Sequence, residues 1–162
     1  MNEQNNKALK GRDNVSQSLA NILVHAIWSV KERRPLITED VRAGLHAYMA
    51  GILKKIESPA LIINSVADHV HVLCQLSKNL AACKLIEEVK KSSSKWMKTQ
   101  GVSQFAWQSG YGAFSVSQSN VPSVRNYIEN QATHHQRCDF KSEFRAFCER
   151  YGVTIDEHYV WD

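Results

Sequence analysis

The chain has 162 residues, 43% of them apolar and 22% charged, the mix of an ordinary globular protein with a core large enough to fold alone. A net charge of +4 and a pI near 8.9 lean toward a polyanionic partner without naming one. No apolar run reaches the ~18 residues of a membrane span, and "MNEQNNKALKGRDNVSQS" has no apolar signal region, so a cytoplasmic protein with no membrane partner is expected.

Residues 1–18 are polar throughout and read as a disordered arm, leaving 19–162 as one domain. Residues 22–30, "ILVHAIWSV", form a β-rich run that the charged "KERRP" ends. Thr38 caps an expected helix over 38–57, with acidic residues at its start and lysines at its end. Ser58-Pro59 stops it. Residues 60–66 and 69–77 read as a hairpin turning near Asp68. Asn79 caps a second helix over 80–100, which ends at Gly101. "FAWQSGYGAFSVS", 105–117, is a fourth β-rich stretch. Ser123 starts a helix over 123–136, and "KSEFRAFCERYG" makes another. The order β-α-β-β-α-β predicts an α+β, ferredoxin-like antiparallel sheet with added C-terminal helices. Cys74, Cys83, Cys138 and Cys148 contain no C-x-x-C pair and are expected as small buried hydrophobes in a reducing compartment.

The stretch "VADHVHVLCQLS" puts His69 and His71 on one strand. Side chains alternate, so Val70, Val72, Cys74 and Leu76 suit the helix-covered core, and His69, His71, Leu73 and Gln75 point the other way. Same-face neighbours lie ~7 Å apart, close enough for both imidazoles to bind one metal. Two exposed or hydrogen-bonded strand histidines would fit the spacing as well. Tyr127 and Gln131, four apart on one helix, share a face. Alone they are a packed aromatic and a surface amide. With the histidines they make a divalent-metal site beside a phenol nucleophile.

At this point the sequence resembles a known family. "HVH" resembles the HUH motif, and "YIENQ" the Tyr-x-x-x-Gln helix, of single-tyrosine HUH transposases. These are the insertion sequence 200/605-type transposases and their REP-associated relatives. "HAIWSVKERRPLI" and "FAWQSGYGAFSVS" resemble the first and fourth strands of that family. The resemblance covers about 20–160.

The resemblance implies a DNA transposase that cleaves and rejoins single-stranded DNA at hairpin-flanked ends. Tyr127 would be the nucleophile, the intermediate a 5′-phosphotyrosine, and His69, His71 and Gln131 the ligands of Mg²⁺ or Mn²⁺. Asp68 is read as a turn residue rather than a partner of His69. The resemblance also implies a homodimer, in some members with a site shared between subunits; a tyrosine helix folded back on its own chain is the other arrangement. No G-x-x-x-x-G-K-[ST] loop is present, so no nucleotide cofactor is expected. Lys84, Lys91, Lys95 and Lys98, spaced 7, 4 and 3 apart, form one stripe for DNA phosphates, which Lys31, Arg33 and Arg34 extend. Leu85, Ile86, Val89 and Trp96 should face the sheet. Tyr111 is a candidate for stacking on bases, and Trp107 is read as core. The competing readings are an HUH replication initiator or relaxase and a non-catalytic hairpin-binding protein.

Overall fold

The structure is a computed structural model and describes residues 18–161, so the N-terminal arm lies almost wholly outside the described residues. The elements are β1 (Ile22–Ser29), α1 (Glu39–Lys55), β2 (Ala60–Ser65), β3 (His69–Leu76), α2 (Ala82–Thr99), β4 (Gly112–Val116), α3 (Val121–Glu129), α4 (Gln131–His134) and α5 (Phe140–Arg150). The strands lie in the order β2-β3-β1-β4, every neighbour antiparallel. This is the ferredoxin-like arrangement the element order predicts.

One sheet face is covered by α1 and α2. Helix α1 buries Val41, Leu45, Met49 and Leu53, one residue per turn, against Val24, Ala26, Trp28, Val70, Val72 and Cys74. Glu39 and Asp40 sit in its first turn and Lys54 and Lys55 in its last, each matched to the helix dipole. Thr38 is the N-cap residue, but its hydroxyl bonds Asp40 rather than a backbone amide. Helix α2 sends Leu85, Ile86, Val89, Ser93 and Met97 inward. Trp96 turns instead onto α1, stacking on Tyr48 at 5.5 Å between ring centroids. That approach needs Gly44, where a Cβ would meet the Trp96 ring at 2.8 Å.

The opposite face is covered too. Leu23, Leu73 and Val116 pack under Ile128 of α3, while Ile27 and Phe114 pack under Phe140, Phe144 and Cys148 of α5. The central strands are therefore buried on both sides, and seven of the eight β1 residues are inaccessible. Cys74 and Cys148 are buried as expected; Cys83 is exposed and Cys138 half-buried.

Several elements differ in extent from the sequence expectation. The fourth strand is only 112–116, because Lys90 Nζ captures the carbonyls of Gln108, Ser109 and Gly110 at 2.6, 3.1 and 3.0 Å and bends that segment away from the ladder. Trp107 keeps one bridge to Val30 and packs in the core, its ring edge-on to Trp28 and Phe105. Helix α2 begins after Ala81, not Asn79, since Asn79 is held in a turn by Ser77. Helix α3 begins at Val121, which puts Pro122 in the first turn, where a missing N–H is harmless. The expected 123–136 helix is broken at Asn130 (φ −95°, ψ 22°), whose amide folds back onto the Asn126 carbonyl at 2.8 Å. Among the described residues, no helix is long and apolar enough to cross a membrane.

Candidate functional site

His69 and His71 both lie on the second face of β3, and both are fully buried beneath the C-terminal helices. The chain beyond Gln131 then adds two groups the sequence reading left out. His135, just after α4, brings its Nε2 to 2.9 Å from His69 Nε2. Glu143, 3% exposed on α5, brings Oε2 to 3.0 Å from His135 Nε2 and 3.4 Å from His69 Nε2, and Oε1 to 3.4 Å from His71 Nε2. One ligand atom from each of His69, His71, His135 and Glu143 lies within 4.8 Å of the others.

His69 Nε2 and His135 Nε2 are in hydrogen-bond contact, whereas the contacts of Glu143 with the three imidazoles are close without being aligned as hydrogen bonds. His71 Nε2, Glu143 Oε2 and Gln131 Oε1 are all buried with no hydrogen-bond partner among the described residues. Leaving such groups unpaired costs about 1–3 kcal/mol each, which a cation in the cluster would offset for His71 and Glu143. Imidazole nitrogens, a carboxylate and an amide oxygen are donors that suit a divalent ion. The residues therefore fit a metal.

Each strand histidine is also held from behind. His69 Nδ1 meets Asp68 Oδ1 at 2.6 Å, so Asp68 is a partner of His69 as well as a turn residue. His71 Nδ1 lies 3.1 Å from Nε2 of His25 on β1, whose ring stacks on it at 5.3 Å. In both cases the contact engages Nδ1 and leaves Nε2 facing the cluster, the usual support of a ligating histidine.

Tyr127 lies over the same cluster. Its hydroxyl donates to Glu143 Oε1, and its ring is 5.9 Å from that of His71 in the same chain. The helix carrying it is pinned to β2: the Asn64 amide donates to the carbonyls of Ile128 at 2.7 Å and Glu129 at 3.2 Å, and Arg125 reaches Leu61 O at 2.9 Å. Gln131 is fully buried one turn later, donating to the Tyr127 carbonyl at 3.3 Å and leaving its oxygen free. A cavity of about 160 Å³ beside the tyrosine is lined by Tyr127, His134, Cys138, Glu143, Phe147 and Arg150.

The electrostatics follow from burial and crowding. Burial opposes ionisation of Glu143, but the imidazoles of His69 and His71 outweigh it and hold the carboxyl down to about 2. Burial pulls His69 down, yet the Asp68 and Glu143 carboxylates together push it above its ordinary value. Burial keeps His71 below its ordinary value despite Glu143. His135 is brought to about 4 by burial and then by His69 and His71, and His25 to about 3 by burial and then by His71.

These shifts set a pH dependence of stability. His25, and His46 (held to about 4 by burial and then by Arg42), stay neutral in the fold while the unfolded chain takes up protons below about 6.5. The unfolded state then binds more protons, so these two histidines destabilise the fold as pH falls from 6.5 toward 4. His69 has the opposite sign: its contribution is present below 6.5 and lost as pH rises through its raised value. In EDTA, the urea midpoint should drop between pH 6.5 and 4, and less steeply in His46→Gln. An identical slope in that variant would contradict the assignment.

The predicted DNA contacts fall in two places. Lys84, Lys91, Lys95 and Lys98 are exposed on α2, whose buried side packs on the sheet face opposite the histidines; Lys84 also pairs with Glu87 at 2.6 Å. The structure does not bring this stripe to the cluster. Arg33 and Arg34 follow β1, in a turn where Glu32 and Arg33 take left-handed backbone angles (φ 59° and 53°). Arg33 is within electrostatic range of Asp139, the residue before α5. The Asp139 carboxyl, which caps that helix, is held low first by Ser142 and then by the charges of Arg145 and Arg33. Tyr111 is exposed, with Lys90 Nζ 5.9 Å from its ring.

His25 could have been found from alternation, because Val24, Ala26 and Trp28 face the helices and so leave His25 on the histidine face. Glu143 had a signal as well: it falls inside the apolar stripe Phe140, Phe144 and Cys148, where an acid needs a partner.

The comparisons with known proteins agree with one another. The chain is 26% identical over 129 residues to the ISDra2 transposase TnpA of Deinococcus radiodurans, covering 75% of this chain and 89% of that protein. Its fold is similar to a candidate transposase from Deinococcus radiodurans R1 (TM-score 0.60, 21% identity, 74% of this chain and 97% of that one). It is also similar to a REP-associated tyrosine transposase bound to a REP hairpin (TM-score 0.56, 12% identity, 76% of this chain and 74% of that one). Residues 18–131, from before β1 to the first residue of α4, match the family described as IS200-like transposases, and the chain belongs to that family.

Proposed function

We propose that this transposase cleaves and rejoins single-stranded DNA at hairpin-flanked ends through a 5′-phosphotyrosine on Tyr127. His69, His71 and Gln131 would hold Mg²⁺ or Mn²⁺. The observation that carries the reading is the Tyr127 hydroxyl set directly on a buried cluster of metal-competent groups.

The residues account for the chemistry as follows. The Tyr127 O–H bond breaks, its oxygen bonds to phosphorus, and the phosphorus–O3′ bond breaks. The departing 3′-oxygen gains a proton as the phenol loses one, so the step is neutral overall. A phenol has a pKa of ~10, far below an aliphatic alcohol, so its phosphate ester stays reactive. A later 3′-OH can displace it and rejoin strands without a nucleotide cofactor. Asp68 and His25 keep the two strand imidazoles oriented, and β2 keeps the tyrosine helix in place through Asn64. A divalent ion bound there would supply charge neutralisation at the scissile phosphate and the departing oxygen.

Single-stranded hairpin DNA is the proposed partner, a reading supported by the REP hairpin in the related complex. A homodimer belongs to the proposal, with each site built inside one chain, because α3 is fastened to its own β2. An initiator or relaxase using the same chemistry, or a hairpin binder without catalysis, is less well supported than a transposase, given the family of the chain. The test is incubation with single strands carrying a 5′- or 3′-flanked hairpin, with duplex DNA as control, in metal and in EDTA. Cleavage confined to the single strand and to metal is the expected result. Equal cleavage of duplex, or none of either, would contradict the reading.

The lysines of α2, being across the sheet from the cluster, would hold DNA away from the reacting phosphate. Each Lys→Ala at 84, 91, 95 or 98 should lower the slope of log affinity against log salt by ~0.7 on single strands, or ~0.9 where duplex stem is met. Unchanged slopes in all four would mean that the stripe faces only solvent.

A further inference from the structure

The proposed nucleophile and metal ligands end at Gln131, and so does the family match. Glu143 lies beyond it. We infer that Glu143 is a further metal ligand supplied by the C-terminal helix, with one carboxylate oxygen on the ion beside His69 and His135 and the other holding the Tyr127 hydroxyl. The inference rests on the metal site proposed above.

Three observations carry it. The carboxylate is 3% exposed, and among the described residues its ion-pair partners are imidazoles, not lysine or arginine, although Arg150 lines the same cavity. A buried carboxylate with no strong cation beside it is costly. Oε2 is the oxygen nearest His135 and His69, yet it forms no hydrogen bond, so it converges on the same space as their Nε2 atoms rather than pairing with either. Oε1 meanwhile accepts from Tyr127. One side chain thus spans the donor cluster and the nucleophile. The helix is set to deliver it: Asp139 caps α5 by accepting from Ser142 N at 2.8 Å, and Phe140, Phe144 and Cys148 anchor the helix on either side of Glu143. With His135 the set becomes three imidazoles, a carboxylate and the Gln131 amide oxygen, which places Mn²⁺ ahead of Mg²⁺.

The opposing account is a structural one, in which Glu143 only neutralises a protonated histidine. Metal affinity separates the two. Isothermal titration of Mn²⁺ into the full chain should show one tight site. Glu143→Gln keeps the size and can still accept from Tyr127, and it should weaken that site by about 100-fold or more, beyond what loss of a mere supporting partner does. His71→Ala should weaken it too. Wild-type affinity in Glu143→Gln with weak binding in His71→Ala would overturn the inference and leave the proposed site standing. Tight binding in His71→Ala, or none in the wild type, would overturn both. If Glu143→Gln does not fold by circular dichroism, the wild type decides. One equivalent of Mn²⁺ should shift the carboxylate stretch in the infrared difference spectrum, and a silent carboxylate region would overturn the inference.

Discussion

Tyr127→Phe should lower cleavage of hairpin-bearing single strands by at least about 10⁴-fold while leaving the fold and DNA binding in place. The substitution removes one oxygen. The ring packs edge-on against His71, His134 and Phe147, at 5.9, 5.1 and 5.5 Å between centroids, and phenylalanine keeps those contacts. What it loses is the hydrogen bond to Glu143, so a fall in stability of about 1–3 kcal/mol is expected and does not mimic the loss of a nucleophile. Denaturing gels measure the cleavage and gel shift the binding. A covalent protein–DNA adduct persisting in the Phe variant would remove Tyr127 from its role.

The second large effect concerns the histidines. Alanine at His69 or His71 should reduce cleavage by at least about 100-fold, and added Mn²⁺ should not restore it, because each removes a nitrogen that no neighbour replaces. EDTA should do the same to the wild type, reversibly. Gln131→Ala should cost less, since water can take the place of an amide oxygen. Undiminished cleavage by the double histidine variant in EDTA would rule the metal site out.

Much of this was legible in the sequence, and the reasons are specific. His69 and His71 were readable because strand alternation is strict and the intervening Val70 has an obvious apolar destination. The sheet order followed from element order, since two crossover helices leave few ways to pair four strands. Tyr127 and Gln131 were readable as a pair by spacing, although the helix joining them breaks at Asn130. The rest depended on what covers the second sheet face. A ferredoxin-like sheet needs only two helices, so although the apolar stripe of α5 marks Glu143 as an acid in need of a partner, nothing local said that the partners would be the strand histidines. His135 carries no such signal, because its neighbours, "THHQ", are polar and match no motif. The lysine stripe was visible as a stripe, but periodicity cannot say which sheet face a helix covers; it lies across the sheet from the cluster. The short link before α3 was compatible with reaching a second subunit; Asn64 and Arg125, gripping from β2 and α3, and Ile128, packed on Leu23, Leu73 and Val116, tie the helix to its own chain.

The proposed chemistry requires a covalent bond between Tyr127 and a DNA phosphorus. The most direct measurement is peptide mass spectrometry after incubation with a hairpin-bearing single strand and Mn²⁺, followed by nuclease and protease digestion. The expected products are a nucleotide 5′-phosphate on Tyr127, in the peptide from Asn126 to Arg137, and a free 3′-OH on the released strand. Modification of another residue, or complete cleavage with no protein-bound nucleotide, would contradict it.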